Sequence, residues 1–291
     1  MKTIIITGAN SGLGFETAKK IAKHGDCKII LACRSMEKAE RAKVAIVGET
    51  GNQNVVTMPL DTSSLRSVRS FAQEILSQGE TIDVLINNAG ISPMHSGITE
   101  DGFELVFATN HLGHFLLTNL LLPILAGDAR IFNVASDMHD PPGGIHWPGV
   151  ELLAHPKGED RKKYSYSKLC NLYFTYELDR RLRGKGSHIT VNAFNPGYMA
   201  DTNFAPGQGK TRAMTVKLTM PERYGTLETS SDALAELAVS GAFSGVSGKY
   251  LDRSTSTTES SSLSYDEANT AELWRKSAEL CGLDGCPLQH Y

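Results

Sequence analysis

The stretch K-T-I-I-I-T-G-A-N-S-G-L-G at residues 2–14 decides the fold of this chain. Its first half is a short β-branched apolar run, which predicts a strand, and its second half is rich in glycine. Residues 15–24 then carry apolar side chains at the spacing of one buried helical face, namely Phe15, Ala18, Ile21 and Ala22. Strand, glycine turn and helix in this order predict a phosphate-binding turn.

The three glycines of this turn are Gly8, Gly12 and Gly14. They allow a tight turn and let a pyrophosphate approach the N-terminus of the following helix. Unpaired N–H groups and the positive end of the helix dipole stabilise an anion there. The spacing is G-x-x-x-G-x-G, which differs from the G-x-G-x-x-G of dehydrogenases that have a separate substrate domain. An ordinary glycine-rich turn is the alternative for an isolated motif of this kind.

The end of the second predicted strand, residues 28–32, bears on the choice of cofactor. An NAD site is expected to have an Asp or Glu there to accept hydrogen bonds from the ribose 2′-OH. Cys33, Arg34 and Ser35 follow instead, and Lys38 lies one helical turn further on. A planar guanidinium and a second cation suit a 2′-phosphate, so the sequence predicts NADPH over NADH. Two solvated side chains at a helix start are the alternative.

Three further apolar runs end in polar residues: residues 55–60 before Asp61 and Thr62, residues 82–86 before Asn87 to Gly90, and residues 129–135 before Ser136. Ligands of an open parallel sheet lie outside the carboxyl ends of its strands. We therefore expect these polar residues to meet Gly8 and Arg34 at one edge of the sheet. The Asp61 carboxylate is suited to accept a hydrogen bond from the adenine amino group.

Tyr164 and Lys168 stand four residues apart in Y-S-Y-S-K, so on a helix they share one face. An ammonium beside a phenol favours the phenolate and lowers the pKa of the tyrosine, which suits general acid–base chemistry. A surface helix pair is the alternative for this spacing alone. Asn110 begins an apolar helix between the fourth and fifth predicted strands, where its amide is suited to hold an ordered water.

Together these motifs resemble the short-chain dehydrogenase/reductase family over nearly the whole chain. The resemblance is carried by T-G-A-N-S-G-L-G at 7–14, Asp61, N-N-A-G at 87–90, Asn110, Ser136, Y-S-Y-S-K at 164–168 and Pro196-Gly197. It implies a single α/β domain over residues 1–291, with a Rossmann-like doubly wound parallel sheet of about seven strands and helices on both faces.

The resemblance also implies roles for individual residues. Tyr164 exchanges the proton, and Lys168 lowers its pKa and holds the nicotinamide ribose. Ser136 hydrogen-bonds the substrate oxygen, and Asn110 holds water in a proton relay. NADPH or NADP+ is expected to be bound by Gly8, Asn10, Ser11, Gly12, Leu13, Gly14, Arg34, Lys38, Asp61, Thr62, Asn87, Ala89, Gly90, Tyr164, Lys168, Pro196, Gly197 and Thr202.

The Pro196-Gly197 turn resembles the family turn that shields the nicotinamide, and Thr202 is the expected partner of the carboxamide. The sequence departs from the family pattern at Asp201, where related enzymes often have the first Thr or Ser after the turn.

Within the family, the chain is most similar to the branch of retinol dehydrogenases and light-dependent protochlorophyllide reductases. The stretches are A-C-R-S at 32–35, T-N-H-L-G-H-F at 109–115, S-K-L-C-N at 167–171, G-K-Y at 248–250 and Trp274. Cys170-Asn171 resembles the protochlorophyllide enzymes, whereas Asn87 to Gly90 is closer to the retinol type.

Three functions follow from this resemblance. The first is NADPH-dependent hydride transfer between the nicotinamide and a carbonyl or alcohol substrate, with Tyr164 as the acid–base group. The second is light-dependent C=C reduction of the protochlorophyllide reductase type. The third is a catalytically silent NADP-sensing protein, against which the intact set Asn110, Ser136, Tyr164 and Lys168 argues.

Composition excludes several other classes. The net charge of −3 over 291 residues, with both signs interspersed, gives no basic footprint for nucleic acid. The expected partner is a small hydrophobic carbonyl or alcohol compound. Five scattered cysteines favour reduced thiols and a cytoplasmic location, and Cys281 and Cys286 lack the further ligands of a metal site. Monomer and homo-oligomer both stay open, because the family pairs helices whereas the resembling branch includes monomers.

The remaining segments are expected to be substrate loops and a tail. Because the first strand starts at Lys2, we expect no signal or anchor before it, and the apolar residues 115–125 are too few for a membrane span. Residues 137–163 and 198–224 are the expected substrate loops, and residues 252–291 form a tail with a last helix at 266–280. Pocket lining or ordinary loop packing are both open for His139, His146, Trp147, Met199, Phe204 and Met214.

Overall fold

The computed structural model describes residues 1–158, 160–199 and 215–283. One sheet has the strand order β3-β2-β1-β4-β5-β6-β7-β8. The strands are β1 Lys2–Thr7, β2 Cys27–Cys33, β3 Val55–Pro59, β4 Ile82–Asn87, β5 Leu125–Val134, β6 Thr190–Asn195, β7 Tyr250–Asp252 and β8 Thr257–Thr258. Strands β1 to β7 are parallel, and β8 is antiparallel to β7.

The helices lie between the strands. They are α1 Gly12–Ala22, α2 Met36–Thr50, α3 Leu65–Gln78, α4 Leu105–Phe107, α5 Gly113–Leu121, α6 Val150–Ala154, α7 Lys163–Gly184, α8 Leu227–Val239 and α9 Glu267–Leu280. A π-helical turn, Ala108–Leu112, joins α4 to α5. Short 3₁₀ turns are Leu122–Ile124, Asp137–His139, Pro221–Arg223, Gly241–Phe243 and Ser262–Tyr265, and residues 215–219 are helical.

Successive side chains along each strand point to opposite faces of the sheet and pack into two hydrophobic cores, one on each face. Ile4 and Ile6 pack with α1, α2 and α8, whereas Ile5 packs with α3, α5, α7 and α9. Burial on both faces explains why these strands read as continuous apolar runs. The predicted doubly wound α/β sheet is therefore confirmed.

The sheet has eight strands where about seven were expected. The additional strand is β8, two residues within the expected tail at residues 252–291. The N–H of Asp252 donates to the carbonyl of Ser256 at 3.2 Å, which turns the chain back after β7. Such a short antiparallel pair leaves almost no periodic signal in the sequence.

One helical stretch, Leu105–Ile124, has the length and composition of a membrane span, with a mean hydropathy of 1.3. The expectation that this apolar region is too short came from residues 115–125 alone, and the structure continues the helix over 20 residues. Of the apolar window, 89% is buried inside the structure, which is also what the core helix of a folded domain shows.

Candidate active site

The centre of the sheet contains its topological switch point, between β1 and β4. Chain connections leave these neighbouring strands toward opposite sides, which opens a crevice at their carboxyl ends. The two loops that border the crevice are tied together by hydrogen bonds. The Asn88 side-chain amide donates to the Thr7 carbonyl at 2.7 Å, and the N–H groups of Asn88 and Ala89 each donate to Thr7 Oγ1 at 2.8 Å. Gly8, Ala89 and Gly90 therefore meet at one edge, as expected.

The N-terminus of α1 has the donor set that a pyrophosphate requires. Ser11 is the N-cap residue with extended backbone, and its side chain makes no capping hydrogen bond. Three other helices differ, because Ser64, Thr226 and Asp266 each accept a hydrogen bond from the N–H three residues on. The first N–H groups of α1 are thus left for a bound anion, and the turn from Gly8 to Gly14 fits a dinucleotide.

Residues expected at the adenosine end follow β2 and β3. Arg34 directly follows β2, is exposed, and makes no ion pair with any residue that the structure describes. Lys38 is exposed in the first turn of α2. Asp61 follows β3, and Ser63 donates to its Oδ1 from the backbone N–H at 3.0 Å and from the hydroxyl at 2.6 Å. Thr62 is buried beside it.

Asn87 lies at the predicted edge, but its side chain faces the protein interior. Its Nδ2 donates to Asn133 Oδ1 at 2.8 Å and to Thr118 Oγ1 at 2.9 Å. The side chain is 2% exposed, so it satisfies buried neighbours across β4 and β5. Cofactor binding by Asn87 stays a prediction, and its Oδ1 is buried without a hydrogen-bond partner among the described residues.

Three predicted catalytic side chains come together at the start of α7. The Tyr164 phenol lies beside the side chain of Ser136, which directly follows Ala135 at the end of β5. Lys168 Nζ lies 5.6 Å from the centroid of the Tyr164 ring. It donates to the Val134 carbonyl at 2.9 Å. A phenol, a hydroxyl and an ammonium thus border one point at the carboxyl edge of the sheet.

The electrostatics of this group differ from the expectation in one respect. Burial raises the pKa of Tyr164 to about 12, the polar side chain of Ser136 beside it lowers this pKa, and the Asp137 charge raises it. Burial also lowers the pKa of Lys168 to about 8. The lowering of the Tyr164 pKa by Lys168 stays a prediction, and in the structure the ammonium is directed at the Val134 carbonyl.

Asn110 lies in the π-helical turn, and both ends of its side-chain amide are hydrogen-bonded. Its Oδ1 accepts from the Ile91 N–H at 2.8 Å, and its Nδ2 donates to the Ile91 carbonyl at 3.1 Å and to Ser167 Oγ at 3.0 Å. The role of this amide in holding an ordered water stays a prediction, since Oδ1 keeps a second lone pair. The amide also fixes the loop after β4 and the first turns of α7 to one another.

His114 is a site residue that the sequence analysis missed. Its Nδ1 lies 3.2 Å from the Asn110 carbonyl, and its Nε2 lies 2.9 Å from Thr7 Oγ1. Because a carbonyl only accepts, Nδ1 carries the proton and Nε2 accepts from the threonine. Burial lowers the pKa of His114 to about 4. Its position four residues after Asn110 in T-N-H-L-G-H-F was the available signal.

The Pro196-Gly197 turn follows β6 at the same edge. Ser230 Oγ donates to the Pro196 carbonyl at 2.8 Å, and the Gly197 N–H donates to Asn195 Oδ1 at 3.0 Å. An isolated β-bridge pairs Tyr198 with Tyr224, the two ends of the expected substrate loop at residues 198–224. Asp201, Thr202, Phe204 and Met214 lie outside the described residues.

His139 and Trp147, two residues for which pocket lining or loop packing was open, hydrogen-bond to other segments of the protein. His139 is buried, its Nδ1 lies 2.7 Å from the Ser136 carbonyl, and its Nε2 accepts from the Ser261 N–H at 3.0 Å. Trp147 Nε1 donates to Glu272 of α9 at 2.7 Å. Met199 packs against the core on the α1 side of the sheet, and His146 is exposed.

The described cysteines are free thiols, and the possible metal ligands of the described residues are scattered. Cys27, Cys33, Cys170 and Cys281 are free and buried, and Cys286 is outside the described residues. Residues 1–158, 160–199 and 215–283 contain no group of three or more His, Cys, Asp or Glu side chains that could hold a metal ion.

Comparisons with known proteins give a consistent relationship. The family model of the short chain dehydrogenases matches residues 2–147. Human retinol dehydrogenase 13 is 42% identical over 97% of this chain and 85% of its own length. Human retinol dehydrogenase 14 is 38% identical over 97% of this chain and 87% of its own length.

A solved structure supports the same assignment. An uncharacterized protein from Mycobacterium paratuberculosis superposes with a TM-score of 0.76 at 33% identity, covering 97% of this chain and 94% of that one. The chain belongs to the short-chain dehydrogenase/reductase family, in its retinol dehydrogenase-like branch.

Proposed function

We propose that this protein is an NADPH-dependent oxidoreductase that transfers hydride between the nicotinamide and a hydrophobic carbonyl or alcohol substrate. The observation that carries the proposal is the meeting of Ser136, Tyr164 and Lys168 at the carboxyl edge of the sheet, with Lys168 Nζ 5.6 Å from the centroid of the Tyr164 ring. This group brings a hydroxyl, a half-buried phenol and a buried ammonium to the edge where a ligand of such a sheet lies.

The relatives supply the substrate class. Two human proteins that align over 97% of this chain are named retinol dehydrogenases. We assign the retinal and retinol pair, or an aldehyde of similar shape and polarity, as the substrate. Lys168 is buried and Tyr164 is half-buried. A site with so little access to water supports an apolar substrate, because water is excluded during hydride transfer.

The choice of NADPH rests on the residues after β2. One solved structure of this fold is a complex with NADP and another is a complex with NADH, so the fold alone does not select the cofactor. The exposed guanidinium of Arg34, with Lys38 nearby, suits a 2′-phosphate.

Bound NADPH would supply the hydride. Ser136 and Tyr164 hold the substrate oxygen, and the Tyr164 phenol donates its proton to the oxygen as negative charge develops there. A phenol with a pKa of about 12 stays protonated at neutral pH, which suits the reduction direction. Lys168 holds the ribose and carries positive charge below its pKa of about 8. Asn110 and His114 hold the surrounding backbone in place.

The first prediction concerns Tyr164→Phe. Loss of the proton donor should lower the rate of retinal reduction about a hundred- to ten-thousandfold while NADPH still binds. Absorbance of NADPH is followed in the dark with retinal, steroid ketones, aliphatic and aromatic aldehydes and quinones. The matched control is Tyr166→Phe, two residues along the same helix, which should retain turnover within a few-fold.

Each other outcome has a meaning. Equal turnover in wild type and Tyr164→Phe would remove Tyr164 from the mechanism. Reduction of protochlorophyllide only under illumination would move the assignment to light-dependent C=C reduction. No turnover in light or dark, with NADPH bound, would assign the protein as an NADP sensor.

A further inference from the structure

A compact charged cluster lies just beyond the carboxyl ends of three neighbouring strands. We call Asp137, Asn195, Asp252 and Arg253 the Arg253 cluster. Asp137 follows Ser136 after β5, Asn195 ends β6 before Pro196-Gly197, and Asp252 ends β7. The cluster therefore links the two loops that the proposed function uses on either side of the reacting carbon.

Hydrogen bonds inside the cluster connect all three strand ends. Arg253 Nη1 donates to Asp137 Oδ2 at 2.9 Å, and its Nη2 pairs with Asp252. Asn195 Nδ2 donates at 2.7 Å to Asp137 Oδ1 and at 2.7 Å to Asp252 Oδ1. Asn195 Oδ1 accepts from the N–H groups of Asp137 at 3.2 Å and Gly197 at 3.0 Å. One amide and one guanidinium thus fix the backbone on both sides of the site.

Two residues of this region have backbone conformations with positive φ, which side chains other than glycine rarely adopt. Arg253 has φ of 50°, and it is the one non-glycine residue with positive φ in the described part of the chain. Its N–H donates to the Asn195 carbonyl at 2.7 Å. Gly197 has φ of 72°, and a Cβ there would lie 2.6 Å from Arg253 Cδ. The glycine of the turn therefore leaves room for the arginine side chain.

Charge balance gives the guanidinium a further role. Asp137 and Asp252 are both bonded to the same amide, and their side chains are only 20% and 23% exposed. Burial and the Asp252 charge raise the pKa of Asp137, whereas Arg253 lowers it. Without the guanidinium the two carboxylates would repel each other. The turn of residues 136–139 after β5, which we call the Ser136 corner, would then move.

We infer that Arg253 is a positioning residue that holds the Ser136 corner and the Pro196-Gly197 turn at the separation that hydride transfer requires. This inference rests on the proposed function. The residue acts through Asp137 and Asn195, without itself touching substrate or cofactor. Displacement of a reacting group by about 1 Å can lower a rate by about a hundredfold.

The sharpest variant is Arg253→Asn. Asparagine adopts positive φ with less strain than arginine, so this variant should keep Tm close to wild type while losing the guanidinium. We expect kcat for retinal reduction to fall about 10- to 100-fold. The Kd of NADPH should change about threefold or less, because the phosphates bind at the glycine turn. Arg253→Lys should restore part of kcat, since the charge returns without the fork.

The control is Arg183→Ala. Arg183 also pairs with a carboxylate, Asp179, and donates to the Ser247 carbonyl at 3.1 Å, before β7 and away from the site. This variant should keep kcat. The inference is overturned if Arg253→Asn keeps kcat within about twofold of wild type, or if Arg183→Ala loses as much as Arg253→Asn.

Hydrogen exchange separates this inference from the proposed function. In Arg253→Asn, exchange should rise together in peptides covering 136–139 and 196–199, while β1 and β4 keep their protection. Unchanged exchange in both loops overturns the inference. If wild type reduces none of the carbonyls, the proposed function fails, and the exchange result alone decides whether Arg253 holds the two loops together.

Discussion

At the residue scale, His114 connects the two halves of the site. It accepts from Thr7 in the glycine turn and donates to the carbonyl of Asn110, whose amide reaches α7 through Ser167. Each of these bonds is buried, so loss of one partner would leave an unsatisfied polar group. The first turns of α7, which carry the Tyr164 phenol, are therefore connected to the glycine turn through a chain of single hydrogen bonds.

Buried neutral histidines predict a pH dependence of stability. Burial lowers the pKa of His111 to about 3 and of His114 to about 4, below the unfolded value near 6.5. The unfolded chain thus binds more protons between these values. Stability is complete above about pH 6.5 and falls toward pH 4, by up to about 1.4 kcal/mol per pH unit for each histidine.

Urea unfolding at pH 5, 6 and 7 measures this slope. Carboxylates also titrate at the acid end, so the comparison is with His114→Gln and His111→Gln. Each variant should be less stable at pH 7 and should show a smaller loss between pH 7 and pH 5. An unchanged slope in both variants would mean that the histidines are charged in the folded protein.

A second residue-scale prediction concerns Arg34→Asp. Loss of charge-assisted hydrogen bonds to the 2′-phosphate should weaken NADPH binding about 10- to 100-fold and relatively favour NADH. Fluorescence titration with both cofactors measures this ratio. Arg41→Asp serves as the control, because Arg41 is an exposed arginine of α2 that pairs with Glu37. An unchanged preference in Arg34→Asp would mean that the 2′-phosphate binds elsewhere.

At the element scale, the start of α5 sets the position of the loop after β3, which contains Asp61 and Thr62. α5 begins at Gly113, where a Cβ would lie only 2.0 Å from the Thr62 carbonyl. The loop after β3 therefore rests directly on the helix backbone. This contact fixes Asp61 at the edge where we propose that the adenine binds.

Gly113→Ala should consequently displace either the helix or the loop. We expect a loss of about 1–3 kcal/mol in the free energy of unfolding, as for other overpacked cores, together with weaker NADPH binding. Gly48→Ala in α2 is the matched control, since the space around Gly48 is open and alanine favours a helix. The control should gain up to about 1 kcal/mol in urea unfolding. Equal effects in the two variants would contradict this account.

Local signals explain how much of the site could be predicted. The apolar run of β1 predicted the strand bounds Lys2–Thr7, and the positions of Gly8 and Ser136 followed from strand order. A π-helical turn shifts one hydrogen-bond register and leaves no mark in composition. The partners of Asn110 and Lys168 depend on Ile91 and Val134, which approach only in the folded chain. Their roles could not be predicted from spacing.

At the scale of the whole molecule, the two faces of the sheet carry the hydrophobic cores, whereas its carboxyl edge carries the candidate site. Two cores hold the strands from both faces, and α9 covers α5 and α7 through Trp274, whose ring lies 5.1 Å from Phe115 and 6.0 Å from Phe174. The loops at the carboxyl edge are then free to carry the site. The Ser136 corner, the Pro196-Gly197 turn and the glycine turn all come from this one edge.

The central claim is direct hydride transfer to a carbonyl carbon, and isotope transfer tests it most directly. NADPH deuterated at either the pro-R or the pro-S position of C4 is incubated with retinal and the protein in the dark. Mass spectrometry then locates the label in the product. We predict retinol with deuterium at the carbinol carbon from one of the two cofactors only. Unlabelled retinol from both cofactors, or no product from either while NADPH is bound, would contradict the claim.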